Sequence, residues 1–287
     1  MLLGIDIGGT SIKFAVFDNN YEIIHYETCK TPDNTTVKIT DEMYRVASII
    51  REKYNFSAVG ISSAGVIDNI AMKVISAAPT IKNYVGTNFK REFGDKLGVD
   101  VYVDNDVNCV LLGEQWLGCA KGLDEVFCVA LGTGIGGAYY LDKLPMGSQF
   151  SVGEIGQSVY DFDTETTYEQ RASTIALDKK IKTEICDTLN VIDFFELCKQ
   201  EDAKALKVLD EWLFELARGI VNLFVILDPK YLIIGGAISA QKDYLLNKIE
   251  EKVRELNPIK VGKTKFLTAT LGNDAALYGA ISPFVKK

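Results

Sequence analysis

Asp6-Ile7-Gly8-Gly9-Thr10 near the start of the chain, and Leu131-Gly132-Thr133-Gly134-Ile135-Gly136-Gly137 more than a hundred residues later, decide the fold between them. Each is a glycine-rich turn carrying a threonine, and each stands between apolar runs of strand character. Glycine lets a turn reach positive φ and lets backbone N–H groups come close to anionic oxygens. One such turn is most simply an ordinary hairpin. Two of them, each with a hydroxyl donor in Thr10 or Thr133, point to phosphate binding. Gly132-x-Gly134-x-x-Gly137 also fits the dinucleotide fingerprint, but that fingerprint must open a helix. Here Ala138-Tyr139-Tyr140-Leu141 reads as a strand, which argues against a nicotinamide site.

Outward from the first turn, the pattern predicts strands over 2–6, 12–18 and 22–30, then a helix over 40–54. A strand over 58–62, a helix over 88–97 and a strand over 99–103 follow, ending at Asp104-Asn105-Asp106. After a helix over 107–120 the order begins again, with strands over 125–131 and 136–141 around the second turn. A long helix over 203–227, a strand over 231–234, a helix over 242–256, a strand over 264–268 and a helix from 273 complete it. This weak internal repeat predicts two similar α/β domains with an interdomain cleft, where ligands of such folds bind. The polar, broken stretch 148–182 reads as a substrate-facing region.

The length of 287 residues suits two domains of moderate size. With 31 Lys and Arg against 39 Asp and Glu, the net charge of −8 argues against a broad basic face for nucleic acid. Backbone N–H groups can still bind phosphate in an acidic protein. The six cysteines form no CxxC pair and read as buried, reduced thiols. No signal sequence or stretch of membrane-spanning length is present, so the expected location is cytoplasmic, with no membrane partner.

Four motifs in order now permit a comparison: Asp6-Ile7-Gly8-Gly9-Thr10, Asn105-Asp106-x-Asn108, Gly132-Thr133-Gly134-Ile135-Gly136-Gly137 and Gly153-Glu154-x-Gly156. With Asp228-Pro229, Leu232-Ile233-Ile234-Gly235-Gly236 and Leu271-Gly272-Asn273-Asp274-Ala275, they resemble the ROK family of repressors, open reading frames and sugar kinases. The resemblance spans nearly the whole chain. It implies two actin/hexokinase-like (ribonuclease H-like) domains, here 1–105 with 276–287 and 106–275. It also implies transfer of the ATP γ-phosphoryl group to a hexose or hexose-glycoside hydroxyl, the 6-hydroxyl above all.

In that resemblance Asp106 is the general base, although Asp104 or Asp106 could equally cap the following helix. Asn105, Glu154, Gln157, Glu169 and Gly65 fall at sugar-binding positions. Glu169 rests on the trailing Ala172-Ser173 and could equally be a solvated helix-end residue. Gly8, Gly9, Thr10, Lys13, Gly132, Thr133, Gly134 and Gly136 fall on the phosphates, and Gly235-Gly236 beside the adenosine. A carboxylate closing an apolar strand, Asp6 is suited to hold Mg²⁺ through water, a plain solvated turn acid being the alternative.

The sequence departs from the family pattern where Gln157 replaces its histidine and where its cysteine-rich zinc motif is missing. No zinc site is therefore expected, as in a zinc-lacking branch similar to β-glucoside kinase. The only histidine, His25, lies in an early strand and reads as structural or surface. Glucose or a β-glucoside is the favoured substrate, with N-acetylmannosamine or fructose as alternatives. A repressor would need a DNA-binding segment ahead of residue 6, for which this sequence has no room. A non-catalytic sugar sensor and a polyphosphate donor are the remaining alternatives. The resemblance also implies a homodimer, and the apolar stretch 212–227 suits either an interface or a core.

Overall fold

The computed structural model describes residues 1–78, 81–158, 160–260 and 262–285. In chain order come β1 (Leu2–Ile7), β2 (Ser11–Phe17), β3 (Ile23–Lys30), α1 (Ile39–Arg51), β4 (Ala58–Ser63), β5 (Val66–Asp68) and β6 (Lys73–Ser76). A π-helical stretch, Lys90–Gly94, leads into α2 (Asp95–Leu97), then β7 (Asp100–Asn105), α3 (Asp106–Leu117), β8 (Val126–Leu131) and β9 (Ile135–Tyr140). The rest is α4 (Tyr168–Ala172), α5 (Thr174–Glu184), α6 (Val191–Lys199), α7 (Ala203–Leu227), β10 (Tyr231–Gly235), α8 (Lys242–Leu256), β11 (Lys265–Thr268) and α9 (Ala275–Ile281). Two compact units result: Met1–Gly122 with Met146–Ser151 and Asn273–Lys287, and Leu123–Pro145 with Val152–Gly272.

In the first unit the sheet order is β3-β2-β1-β4-β7, antiparallel through β3-β2-β1 and parallel through β1-β4-β7. β4 lies between two neighbours and is buried along its whole length, which is why Ala58–Ser63 reads as a continuous apolar run. α1 covers the sheet with Ile39, Met43, Val46, Ala47 and Ile50, spaced at three and four residues. α9 packs against β1, β4 and α3. There the backbones approach so closely that a Cβ built on Gly279 would fall on the Cys109 carbonyl, and one on Gly113 on the Ala275 carbonyl.

The second unit repeats the scheme: hairpin β8–β9, with β10 and then β11 parallel on the other side of β8. Its core is lined by α7, capped by the Asp202 carboxylate and burying Trp212, Leu216, Ile220 and Leu223 on one stripe. The Trp212 indole donates to the Ala172 and Ser173 carbonyls at 3.0 and 3.3 Å. The Tyr168 hydroxyl donates to the Leu216 carbonyl at 2.6 Å, its ring lying over Gly219. Those two anchors fix α4 on α7. The stretch 212–227 is thus core on its inner stripe.

Several expectations are corrected. The boundary falls at 122/123 rather than 105/106, because α3 packs on α9 and so joins the first unit. The hairpin β5–β6 and α6 were not predicted, and the helix over 88–97 begins as a π-turn. Cys109, Cys128 and Cys198 are buried, Cys29 and Cys119 half-buried, and Cys186 exposed. His25 stacks on Tyr54 at a centroid distance of 5.1 Å. Among the described residues no helix is long and apolar enough to cross a membrane.

Candidate active site

In the first unit the polar residues gather at the carboxyl ends of β1, β4 and β7, the edge where open α/β sheets bind ligands. One Asp6 carboxylate oxygen accepts from the Ser62 hydroxyl at 2.8 Å, and the other lies 3.2 Å from Lys13 Nζ. Within the β1–β2 turn the Gly8 N–H donates to the Ser11 carbonyl and the Gly8 carbonyl accepts from Thr31 Oγ1. Gly9 and Thr10 are exposed, and their N–H groups have no protein acceptor among the described residues. An anion's oxygens would meet these two donors first.

The acidic-amide cluster is sorted by strand register. Asp104 and Asn105 close β7 opposite Ser62 and Ser63. Asn105 is the helix cap: its Oδ1 accepts from the Val107 and Asn108 N–H groups at 2.9 and 3.2 Å. Its Nδ2 donates to the Gly65 carbonyl at 3.0 Å, drawing Gly65 to the same place. Asp106 is the first residue of α3, and its own carboxylate accepts from the Val107 N–H at 3.0 Å.

Asp104, offered by the sequence as an alternative cap, does not cap the helix. It is 1% exposed. Its carboxylate accepts from Asn69 Nδ2, the Tyr102 hydroxyl, Asn108 Nδ2 and the Asn105 N–H. Burial and the neighbouring Asp104 charge push the Tyr102 phenol far above its usual range, so it stays a donor. The carboxylate thereby braces the loop after β5 against α3, which carries Asp106. Asp104→Asn would oblige an amide N–H₂ to face one of these donors. A loss of about 1–3 kcal/mol is expected, read by thermal denaturation, and an unchanged midpoint would refute the bracing role.

In the second unit, Glu154, Gln157 and Glu169 form one cluster with the glycine turn. Gln157 Nε2 donates to Glu169 Oε1 at 2.8 Å, while Glu169 Oε2 accepts from the Ile135 N–H at 3.3 Å. A Cβ built on Gly134 would meet Glu169 Oε2, the free end of its side chain, so a larger residue there would push that carboxylate aside. Glu169 is therefore not a solvated helix-end residue. Burial and the Glu169 charge hold the Glu154 carboxyl above the usual carboxylate range. The Glu154 side chain remains open to water, its crowding arising from the protein walls around it. Thr133 and Gly134 present N–H groups without a protein acceptor among the described residues, whereas Gly136 sits within β9 opposite Ala130.

Gly235 ends β10, and Gly236 (φ 86°) is wedged against the Leu131 backbone beside the same turn. Sequence reasoning missed Thr268 and Thr174. Both hydroxyls are buried without a hydrogen-bond partner, Thr268 closing β11 and Thr174 donating its N–H to the Gly132 carbonyl. An unsatisfied buried hydroxyl calls for an ordered water or ion beside it. The signal for Ser62 and Thr268 was available, since each, like Asp6, is a polar residue ending an apolar strand run.

Comparison with known proteins completes the picture. A model described as "ROK family" matches residues 2–287. The chain is 26% identical to a β-glucoside kinase of Listeria monocytogenes, covering 100% of this chain and 98% of that one. It is 27% identical to a glucokinase of Thermotoga maritima, covering 98% and 96%. A crystal structure of a ROK family glucokinase from Streptomyces griseus, in complex with glucose and AMPPNP, superposes with a TM-score of 0.83 at 28% identity, covering 97% of each chain.

Proposed function

The chain belongs to the ROK family, and from that premise we propose that it is an ATP-dependent sugar kinase acting on a hexose or hexose glycoside, with glucose or a β-glucoside favoured. The observation that carries the reading is the bond from Glu169 to Ile135: the acceptors suited to sugar hydroxyls share one hydrogen-bonded unit with the second phosphate turn. Curated relatives of similar length, named β-glucoside kinase and glucokinase, support the same reaction class.

In this reading Asp106 takes the proton of the attacking hydroxyl, and Asn105 holds the neighbouring strand end in register. Glu154 and Glu169 accept sugar hydroxyls, with Gln157 supplying a donor. Gly9 and Thr10 in one turn, and Thr133 and Gly134 in the other, offer N–H groups to phosphate oxygens. Mg²⁺ on the nucleotide neutralises charge on the transferring group. Asp6 suits a water-mediated contact to that ion, being a single carboxylate with Ser62 and Lys13 already in contact. A homodimer is part of the proposal, and Phe214, Val225 and Ile226 on α7 offer exposed apolar surface for it.

The direct test is ADP release with Mg-ATP over glucose, mannose, fructose, N-acetylmannosamine, N-acetylglucosamine, cellobiose and gentiobiose. Turnover of one sugar class is expected. Sugar binding by calorimetry without turnover of any would replace the kinase with a sensor.

A pH dependence follows from Glu154. Its carboxylate must be ionised to accept hydroxyls, so sugar affinity falls as pH drops through a pKa above the ordinary glutamate value. Glu169→Gln removes the like charge and should move the Glu154 titration to lower pH, read by ¹³C NMR of labelled glutamate carboxyls. An unmoved titration would dissociate the two groups. Because the folded-state pKa is raised, the folded protein binds more protons across that window, and this group's contribution to stability declines as pH rises through it.

A further inference from the structure

The strap that joins Gln157 to Glu169 carries two aromatic side chains whose exposure the function above does not use. Phe162 is 86% exposed and Tyr160 46%, and their rings meet edge to face at 5.1 Å. Leaving a phenylalanine in water forgoes about 1.5–3 kcal/mol of burial, and here two aromatic rings are exposed side by side.

The rings do not hold the strap. Polar bonds do. Asp161 and Thr166 exchange backbone hydrogen bonds at 2.9 and 3.2 Å. The Asp161 carboxylate accepts from the Asp163 and Thr164 N–H groups and from the Thr164 hydroxyl, and the Thr164 bonds hold its carboxyl below the usual range. Arg171, itself paired with Glu215 at 2.9 Å, donates to the Thr166 and Thr167 carbonyls. Both ends are tied to the sugar-side cluster, Ser158 to the Ile155 carbonyl and the Tyr168 N–H to the Ser158 carbonyl. Residue 159 lies outside the described residues.

A strap pinned by its own polar groups and presenting a preordered aromatic pair is suited to a ligand with an apolar, C–H-bearing face. A pyranose ring has such a face, and the electron-rich faces of aromatic rings attract C–H edges. Between 158 and 167 there is no Lys or Arg, while Asp161, Asp163 and Glu165 are acidic, which disfavours an anionic ligand. We infer that Tyr160 and Phe162 form a subsite for the second ring of a neutral glycoside or disaccharide whose first ring is held by Glu154 and Glu169. The inference rests on the sugar-kinase reading and narrows its substrate class to two-ring sugars.

The test compares kcat/KM for cellobiose, gentiobiose and phenyl β-glucoside with that for glucose, in wild type, Phe162→Ala, Tyr160→Ala and Phe162→Trp. The ratio of two-ring substrate to glucose should fall about tenfold in each alanine variant, the size of one lost aromatic contact, and be retained with tryptophan. An unchanged ratio overturns the subsite, as does a wild type that phosphorylates glucose but no two-ring substrate. An unchanged ratio accompanied by loss of self-association in sedimentation reassigns the pair to contact with a second copy. If wild type turns over no sugar, the kinase reading fails, and calorimetry then decides the subsite separately. Cellobiose binding tighter than glucose binding, with the difference lost in Phe162→Ala, sustains the subsite, and equal binding overturns it.

Discussion

Replacing Asp106 by Asn is expected to lower kcat on the preferred sugar by about 10²–10⁴-fold, with KM for the sugar and for ATP nearly unchanged. That loss corresponds to about 3–5 kcal/mol of transition-state stabilisation. The substitution is close to isosteric and retains an oxygen for the Val107 N–H, so helix α3 should keep its start. The Asn105 cap and the buried Asp104 carboxylate are separate groups and stay in place. The change then deletes proton removal together with the carboxylate's negative charge, which also acts on Tyr84 and Cys109. The measurement is ADP release at saturating sugar and nucleotide, with far-UV circular dichroism to confirm the fold. A kcat within threefold of wild type would remove Asp106 from the base role, whereas a large rise in KM at constant kcat would make it a binding residue.

The largest stability effect should come from Gly279→Ala. In a helix interior this change alone favours folding by about 0.5–1 kcal/mol through propensity. Here the added methyl would fall on the Cys109 carbonyl, a backbone atom that cannot rotate aside. Helices α3 and α9 must move apart, and overpacking of this kind costs about 1–3 kcal/mol or more. The steric cost wins, and a drop of about 5–10 °C in Tm is expected for the affected unit. Gly113→Ala strikes the same crossing from the other helix, on the Ala275 carbonyl, and should act in the same direction. Because the two changes share one contact, their combination should cost less than the sum of the two. A Tm equal to or above wild type in both single variants would show that the helices are not held at this distance.

The glycine turns, the long helices α7 and α8, and the strand–turn–strand repeat were legible because each is a local pattern: alternation, helical spacing or punctuation. The bounds 203–227 and 242–256 agree with the structure to the residue. What escaped depends on distant partners. Asp104, Asn105 and Asp106 are all competent caps in sequence, and only the pairing of β7 with β4 decides which is buried, which caps and which opens α3. The domain boundary moved because two glycines let α3 meet a helix more than 150 residues away in sequence. The hairpin β5–β6 is too short for alternation to register, with three residues in β5 and a register shift within it. In the stretch 148–182, order comes from side chains bonding to backbone, chiefly Asp161 and Arg171, which leaves no periodic trace. Gln157 and Glu169 were selected by resemblance alone, and the bond between them is visible only in three dimensions.

The first unit is built from separated lengths of chain, and its helix α9 follows all of the second unit in sequence. A ribosome needs on the order of 10 s to pass through the intervening residues. Throughout that interval the apolar surface of Leu2, Ala15 and Phe17 waits for Leu277 and Ile281. The order of maturation should therefore be inverted relative to the order of translation, the second unit closing while nascent and the unit bearing Asp106 maturing last. Chains arrested at residue 272 should show a protease-resistant second unit and a digestible first one, and resistance of both would refute the scheme. Newly made molecules would thus remain catalytically silent until α9 leaves the exit tunnel.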